Sequence, residues 1–467
     1  MITRSRAYLD NSGAPSVELL GSVCSEFMQL LPRLNRLGNY ADGKHAILSR
    51  MRTEGLPNVR IVCDMPGYIA KIASGYLVGQ PVTYSAPEQE AALDQLMDAY
   101  RRANVASLDA ELAMDASVYG RAVCLCYANA EAQPRAAQID PKTAFVVYDD
   151  TVEHSPMFGV HIVKEYNAQG METGVLVTVY TERDAIVYRG TGFTGIQPVK
   201  VDPHYFGGVP MVEFWNNSGE KGDFEGILAL IDAYDELQSD RVNDKEQFVD
   251  SLLVMQGVMG FAPMQSSADE DEQKDDRNAA QRLREDKVLT LPEGADVKWL
   301  DHQLDESAVE VLRKSMVDDM HKFAMVPDLT DEHFASNASG VAMKYKLFGL
   351  EQLTKTKERW FSEGLRSRLR LMAAFLAVKG APRLDAEEVS ITFTRALPSN
   401  DLEIAQTIAT LKDIVPDAIL MAQVPFVEDA DQAMALMQEQ KEEAAKAQQA
   451  AFTPYADGNM AQKDDEP

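Results

Sequence analysis

A chain of 467 residues with 45% apolar residues is long and apolar enough to fold into roughly two to four domain-sized units. Its formal net charge of −28 does not suit a protein that grips nucleic acid by neutralising phosphates, so a conventional DNA-binding protein is excluded. No stretch approaches the roughly 18 apolar residues of a membrane-spanning helix, and the first ten residues are not followed by the apolar core of a signal peptide.

The cysteines predict free thiols. Cys124 and Cys126 lie in an apolar run that reads as a strand, in which alternate side chains point to the same face. No further cysteine or histidine stands at the spacing of a metal site. We therefore expect buried thiols in a reducing compartment, and we expect neither a metal nor a cofactor.

The first half of the chain predicts helices followed by a β-rich region. Residues 1 to about 35 are predicted to be helical, with an apolar segment over 17–31 that ends at Pro32, and further helices are expected over 68–77 and 88–120. His45, between the first two helices, is expected to be a packed or surface histidine. The predicted strands are 120–127, 144–148, 158–166, 174–181 and 184–188. This mixture predicts an α+β body with its β-rich part near residues 120–215.

A second helical region begins near residue 222, where Ile227, Leu228 and Ile231 recur at helical spacing. Its acidic residues are scattered around the helix, which predicts a solvated face and argues against a metal site. They are Asp223, Glu225, Asp232, Asp235, Glu236, Asp240, Asp244, Glu246 and Asp250.

The next region, residues 252–322, predicts a small β unit between two helices. A strand over 252–261 leads into a polar, acidic insert over 265–286, which we expect to be mobile. Strands at 287–291 and 297–300 and an amphipathic helix over 305–322 follow.

Residues 334–380 predict one long helix with an unusual charge. It would be roughly 60 Å long if unbroken, with Gly349 and Gly364 as points where it could bend and Gly380 as its end. Eight basic residues face only three acids there, which makes it a basic island in an acidic chain. The basic residues are Lys344, Lys346, Lys355, Lys357, Arg359, Arg366, Arg368 and Arg370. Either the helix lies on the surface with solvated charges, or it faces something anionic.

The remaining residues predict a strand over 389–394, helices between about 400 and 441, and a disordered acidic tail. No catalytic motif appears in the chain. It lacks the Gly-x-x-x-x-Gly-Lys-Ser/Thr phosphate loop, the Gly-x-Ser-x-Gly elbow and the His-Glu-x-x-His helix. We therefore do not expect an enzyme.

Several short motifs, in order along the chain, resemble those of portal proteins of tailed double-stranded-DNA phages, in the branch typified by siphoviruses of Gram-positive hosts. They include Tyr40-x-x-Gly43-x-His45-x-Ile47, the passage from His204 to Asn217, and Ile231-Asp-Ala-Tyr-Asp235. The longest runs from Ser339 to Glu351 and reads Ser-Gly-Val-Ala-Met-Lys-Tyr-Lys-Leu-Phe-Gly-Leu-Glu. In that family this stretch is the tunnel loop and the start of the long kinked helix, at the narrowest part of a ring-shaped channel.

The resemblance implies the portal fold, with an α/β wing, a helical stem, a β-containing clip, a long tunnel helix and a helical crown. The implied boundaries are 1–222 for the first part of the wing, 223–261 for the first stem helix, 262–304 for the clip, 305–326 for the second stem helix, 327–380 for the tunnel loop and long helix, 381–399 for the returning wing strand, 400–441 for the crown and 442–467 for the tail.

The resemblance also implies a function and partners. A homo-oligomeric ring, expected to be a dodecamer, would occupy one capsid vertex of the virion after assembly in the host cytoplasm. Double-stranded DNA would pass through it without sequence specificity during packaging and ejection, and an acidic lumen suits such passage because it repels phosphates. The expected protein partners are the terminase large subunit, scaffolding and major capsid proteins, and a head-completion or adaptor protein; no membrane is implied.

Two groups of site residues follow as hypotheses. The channel lining is predicted to include Ser336, Asn337, Ser339, Lys344 and Lys346. The clip surface that faces the motor and adaptor is predicted to include Asp269, Glu270, Asp271, Glu272, Glu293 and Trp299. Two other classes stay open: another phage head protein, such as a minor capsid or adaptor protein, and a metal-dependent hydrolase built on the acidic clusters.

Overall fold

The chain divides into two compact units, residues 1–336 with 344–395 and residues 337–343 with 396–467. The computed structural model describes residues 1–10, 13–53, 56–193, 195–248, 252–256, 296–300, 306–329, 340–395, 406, 408–412, 414–421, 434, 436–438 and 440. The second unit contains the short helix Asp417–Met421, in which Leu420 is buried.

The α-helices of the described residues are α1 (Val17–Ala41), α2 (Met65–Val78), α3 (Glu90–Arg102), α4 (Val105–Tyr119), α5 (Leu228–Phe248), α6 (Glu306–Ala324), α7 (Gly340–Lys346), α8 (Phe348–Val378) and α9 (Asp417–Met421). Short 3-10 turns lie at Arg6–Tyr8, Ala46–Ser49, Pro87–Gln89 and Glu225–Ile227.

The strands are β1 (Ile2–Arg4), β2 (Thr83–Ser85), β3 (Arg121–Ala128), β4 (Pro134–Ile139), β5 (Ala144–Asp149), β6 (Pro156–Tyr166), β7 (Glu172–Tyr180), β8 (Asp184–Gly190), β9 (Gln197–Pro203), β10 (Met211–Trp215), β11 (Leu252–Gln256), β12 (Asp296–Leu300) and β13 (Ser390–Thr392). A six-stranded sheet has the order β1-β5-β6-β7-β8-β9, in which β1 runs parallel to β5 and the other pairs are antiparallel. A three-stranded antiparallel sheet has the order β10-β3-β4, and β2–β13 and β11–β12 form two-stranded antiparallel sheets. Helices and sheets together confirm the predicted α+β class.

Two large apolar cores organise the first unit. In one, α1 covers the six-stranded sheet, and Phe27 stacks on Phe145 with ring centroids 4.5 Å apart. In the other, α3, α4 and α8 pack on the three-stranded sheet, where Phe214 meets Phe361 at 4.9 Å. Most of the apolar residues of α8 and of α1 are therefore buried inside the fold, which fixes the orientation of both helices.

The sequence correctly predicted the central strands of the six-stranded and three-stranded sheets, but strands at the edges of both sheets were missed. The predicted strands match β3 and β5 to β8 to within two residues, whereas β1, β4 and β9 were not predicted. Each of these three is an edge strand. All seven residues of β9 are exposed and two are prolines, which edge strands tolerate because one side of their backbone needs no partner.

The predicted helical region over residues 1 to about 35 is wrong at both ends, because Ile2–Arg4 forms strand β1 and α1 continues past Pro32 to Ala41. Proline removes one helical hydrogen bond, but the apolar stripe continues beyond it. Leu34, Leu37 and Gly38 are all buried, so packing offsets the lost bond.

The long helix is interrupted at Leu347, between α7 and α8, two residues before the predicted bend at Gly349. Helix α8 alone spans 31 residues, or about 46 Å at 1.5 Å per residue. Gly364 lies inside α8, where the ring of Phe214 would be 2.4 Å from an added Cβ atom, so this glycine permits close packing. The predicted end is confirmed: α8 stops at Val378, and Gly380 follows with a positive φ of 96°.

Candidate functional site

The predicted channel residues fall partly inside the described structure. Lys344 and Lys346 lie on α7 with exposed side chains, and Tyr345 between them is 79% exposed. Ser336, Asn337 and Ser339 lie outside the described residues. The described part of the site is thus a short helix that presents two lysines and an aromatic ring to its surroundings.

The predicted clip residues are described only at one strand. Trp299 lies in β12 and pairs with Leu253 of β11 in the antiparallel register. Asp269, Glu270, Asp271, Glu272 and Glu293, together with the predicted strand at 287–291, lie outside the described residues.

Two cations of the basic island are buried in ion pairs, so the prediction of either solvated charges or an external anion is wrong for them. Lys357 Nζ donates hydrogen bonds of 2.5 Å to both Asp223 Oδ2 and Ser117 Oγ, and its side chain is 2% exposed. Arg368 is fully buried, and its Nη1 donates to Asp109 Oδ1 at 2.6 Å. The anions that these residues face belong to the same chain.

Aromatic rings complete the surroundings of Arg368. Its guanidinium carbon lies 5.3 Å from the centroid of the Tyr100 ring and 5.7 Å from that of Phe214. Burial opposes the charge of this arginine, but Asp109 and the two tyrosines Tyr100 and Tyr84 outweigh it and raise its pKa well above the ordinary value. Arg368 therefore stays charged inside the core.

The prediction of a solvated acidic face on α5 is also wrong for most of its acids. Asp223 and Asp235 are buried, and other acids pair with a basic segment, residues 33–52, that lies along the helix. The pairs are Arg33–Glu225, Arg36–Asp232, His45–Asp235, Arg50–Asp240 and Arg52–Asp240. Among the described acids, Glu236 and Glu246 are exposed as predicted and Asp244 is half-buried, whereas Asp250 lies outside the described residues.

The motif from Tyr40 to Ile47 packs against α5 and binds two of its acidic side chains. His45 Nδ1 lies 2.5 Å from Asp235 Oδ2, and both side chains are fully buried. His45 Nε2 contacts the Tyr40 carbonyl at 3.1 Å, the two rings stack at 4.6 Å, and the Tyr40 hydroxyl donates to Asp232. A carbonyl can only accept, so Nε2 carries a proton; with Nδ1 also protonated toward the carboxylate, His45 is an imidazolium. This histidine is packed, as predicted, and it is also charged.

Three polar side chains on α5 bind the backbone of an extended segment, residues 57–64. Asp235, Ser239 and Asn243 stand four residues apart and accept hydrogen bonds from the amides of Cys63, Ile61 and Val59, which stand two apart. The bond lengths are 2.9, 2.9 and 2.6 Å, and Asn243 Nδ2 also donates to the Val59 carbonyl at 3.2 Å.

The two spacings match because four helical residues rise about 6 Å and two extended residues span about 6.6 Å. Sequence reasoning missed this arrangement, which we call the α5 ladder. The signal in the sequence was the recurrence of a polar residue at every fourth position, Asp235, Ser239 and Asn243, and the structure shows that all three are buried.

The described residues offer little metal-binding or nucleophilic chemistry outside these ion pairs. The described residues contain no group of three or more His, Cys, Asp and Glu side chains that could hold a metal ion. Cys24, Cys124 and Cys126 are buried free thiols, and Cys63 is half-buried. Burial raises the pKa of the Cys24 thiol to about 12, which makes it a weak nucleophile. No helix in the described part of the chain is long and apolar enough to cross a membrane.

Comparison with known proteins gives a consistent family. A family model described as "Phage portal protein, SPP1 Gp6-like" matches residues 24–447. A portal protein of Clostridium phage phiCD119 is 26% identical over 240 residues, which are 51% of this chain and 50% of that protein. A portal protein of Bacillus phage SPP1 is 23% identical over 393 residues, which are 80% of this chain and 74% of that protein. The match thus spans half of the first relative and about three quarters of the second.

Proposed function

Because the chain belongs to the SPP1 Gp6-like family of phage portal proteins, we propose that its copies close into a dodecameric ring at one capsid vertex and form the channel for double-stranded DNA. The observation that carries the proposal is the family match over residues 24–447. A head-to-tail contact that closes by rotation gives such a ring, and one protomer cannot enclose a lumen.

Uncovered apolar surface in the described residues supports assembly. On α6, Val311 is 69% exposed and Phe323 is 61% exposed, and on α8 Phe348 is 60% exposed. Side chains of this size in a long helix ordinarily pack against a neighbour. We assign them to contacts between subunits, with α5 and α6 as the two stem helices and the sheets of residues 1–222 as the wing.

The channel constriction is assigned to residues 336–346. In a ring, each lysine is repeated around the axis, so Lys344 and Lys346 would form a positive collar inside an otherwise acidic protein. Contacts to phosphate are independent of sequence and weaken with salt, which suits a channel that must pass any DNA. The collar would hold packaged DNA against slippage and still release it.

The clip, residues 262–304, is assigned to docking of the terminase large subunit during packaging and of a head-completion or adaptor protein afterwards. Scaffolding and major capsid proteins would surround the ring at the vertex of the virion, which assembles in the host cytoplasm. The role of this chain is structural, and the force of packaging comes from the motor.

Electron micrographs of the purified protein test the ring directly. Ring-shaped particles are expected at micromolar concentration over a range of salt, whereas monomers or dimers alone would contradict the proposal. Another phage head protein, such as an adaptor, is the competing assignment. Incorporation of the protein at a single vertex of heads that have not yet packaged DNA would separate the two, because an adaptor docks only after packaging.

The lysine collar has a separate test. Lys344→Glu with Lys346→Glu should leave ring and capsid assembly intact and reduce the yield of DNA-filled heads. Lys379→Glu is a matched control, because Lys379 is an exposed lysine at the other end of α8. Normal DNA filling in the double variant would show that these lysines do not contact DNA.

A further inference from the structure

The two ends of α8 are held to the fold in different ways. From Lys357 to Phe375 the helix has two buried ion pairs and a row of buried apolar residues that includes Phe361, Leu365 and Leu369. In the first two turns only Leu350 and Thr354 are buried. Apolar packing alone therefore holds the start of the helix weakly.

Arg395 supplies the missing contacts at this end. It follows strand β13, and all three of its guanidinium nitrogens donate hydrogen bonds to α8. Nε donates to Glu351 Oε2 at 3.0 Å and Nη2 donates to Glu351 Oε1 at 3.1 Å. Nη1 donates to Glu358 Oε1 at 2.5 Å. Since Glu351 and Glu358 stand two turns apart, one side chain spans the first part of the helix.

Tyr76 of α2 completes this group, which we call the Arg395 cluster. The Tyr76 hydroxyl donates to Glu351 Oε2 at 3.0 Å, and the guanidinium carbon of Arg395 lies 5.3 Å from the centroid of the tyrosine ring. Three elements, α2, α8 and the end of β13, thus meet at one cation. The Arg395 side chain is 17% exposed, so the contacts are partly shielded from solvent.

The pKa shifts agree with this geometry. Hydrogen bonds from Arg395 lower the pKa of Glu351. Burial, followed by the contact with Glu351, raises the pKa of Tyr76 to about 12. Near neutral pH the cluster therefore holds an ionised glutamate, a neutral tyrosine and a charged arginine, which is the state in which every hydrogen bond of the cluster can form.

We propose that Arg395 is a positioning residue for the channel: by fixing the first two turns of α8, it sets the direction in which the preceding helix α7 presents Lys344 and Lys346. The consequence for the channel rests on the proposed function, whereas the role of Arg395 in fixing the start of α8 does not. A single residue, Leu347, separates the end of α7 from the start of α8. An error in the direction of the first turns of α8 is thereby passed on to the lysines.

Hydrogen exchange of the purified full-length protein tests the structural part. Arg395→Ala should speed amide exchange in residues 350–358 by roughly tenfold or more, because local opening then breaks fewer contacts, while residues 361–375 keep their protection. Arg370→Ala is the matched control, since Arg370 pairs with Glu387 on the surface of the same helix and 63% of its side chain is exposed. Unchanged exchange, or an equal increase along all of α8, would overturn the inference.

Two further variants keep the test decisive. If Arg395→Ala does not fold, Arg395→Lys retains the charge but cannot grip Glu351 with two nitrogens, and it should show the same local effect at smaller size. Added to Glu351→Ala with Glu358→Ala, which removes both acceptors, Arg395→Ala should change exchange no further, because the arginine acts through these two residues. An undiminished effect in that background would contradict the mechanism.

DNA retention in assembled heads tests the link to the channel. Heads carrying Arg395→Lys should lose packaged DNA more readily than heads carrying Arg370→Ala. Normal retention despite faster exchange would overturn the link to the lysines. The exchange result does not depend on the portal assignment, so failure of the proposed function and failure of the inference remain distinguishable.

Discussion

Helices α5 and α8 are both held in place by ion pairs. Helix α8 contributes the cations of its pairs and α5 contributes the acids, and the two sets of pairs differ in how deeply they are buried. Helix α8 carries cations, Lys357 and Arg368, into pockets where the acids are buried with them. Helix α5 carries acids along a basic segment. Its His45–Asp235 pair is fully buried, whereas its arginine partners are partly exposed, from 19% for Arg52 to 54% for Arg36. The buried pairs cannot be broken without leaving a charge in the core, whereas the arginine pairs along α5 can be broken one at a time.

This contrast predicts how each helix responds to force or mutation. Helix α8 should behave as a fixed element from Lys357 onward, because sliding it would separate both buried pairs together. Helix α5 should yield gradually, because its attachment is divided between the α5 ladder and several partly exposed pairs. The following four changes test that difference, in order of decreasing expected effect.

The largest effect is expected from Arg368→Leu. It leaves the carboxylate of Asp109 buried without its partner, which should lower the free energy of unfolding by about 3–5 kcal/mol in denaturant titrations at a fixed protein concentration. The double variant with Asp109→Leu should be less destabilised than Arg368→Leu, because no unpaired charge remains. A double variant that loses the sum of both single effects would contradict the account of this pair.

A smaller loss is expected from Asn243→Leu in the α5 ladder. The amide and carbonyl of Val59 lose their partners, and unsatisfied backbone groups of this kind cost about 1–3 kcal/mol. Glu236→Ala, at an exposed position of the same helix, should change the free energy of unfolding by no more than about 0.5 kcal/mol. Equal losses in the two variants would show that the ladder does not stabilise the helix.

The third effect, the loss of stability in His45→Gln, is expected only within a range of pH. Burial lowers the pKa of His45, but the hydrogen bond to Asp235, the negative charge of Asp235 and smaller contributions from the Tyr40 backbone and Asp64 together outweigh burial, so its pKa in the folded protein is raised above the ordinary value. A raised pKa means that the contribution to stability is fully present below about pH 6.5 and is lost as the pH rises through the folded value.

His45→Gln should therefore destabilise the protein more near pH 6 than at alkaline pH, as unfolding titrations at several pH values would measure. The groups that face His45 are Asp235, Tyr40 and Asp64, and of these Asp235 makes the direct contact. Asp235→Asn should remove most of the difference between the native histidine and glutamine. A penalty for His45→Gln that is independent of pH would contradict a charged histidine.

The smallest effect is expected from Arg36→Ala. Its pair with Asp232 is 3.3 Å long and largely in water, so its loss should cost no more than about 1 kcal/mol and less in high salt. Unfolding titrations at low and high ionic strength measure both quantities. A loss comparable with that of Arg368→Leu would mean that depth of burial does not separate the two helices.

The sequence alone determined the α+β class, the helices with a clear apolar stripe and the central strands. It did so because burial on one or both faces leaves a periodic pattern within a single element. Edge strands β1, β4 and β9 were not predicted. The residues of β1 and β4 follow no strict alternation of apolar and polar residues, and β9, in which Val199 and Val201 do alternate with polar residues, contains two prolines and is fully exposed. The ordered motifs also led to the portal family, which the family match confirms.

Only the tertiary structure decided which charges are buried in ion pairs and which are exposed to solvent. Lys357 and Arg368 look like any other cations of the basic island in the sequence, and Asp235 looks like its exposed neighbour Glu236. Their partners stand far away in the chain: His45 meets Asp235 across 190 residues and Arg368 meets Asp109 across 259. A pattern within one element shows that a side chain is charged, but the free energy of that charge depends on the elements that pack around it.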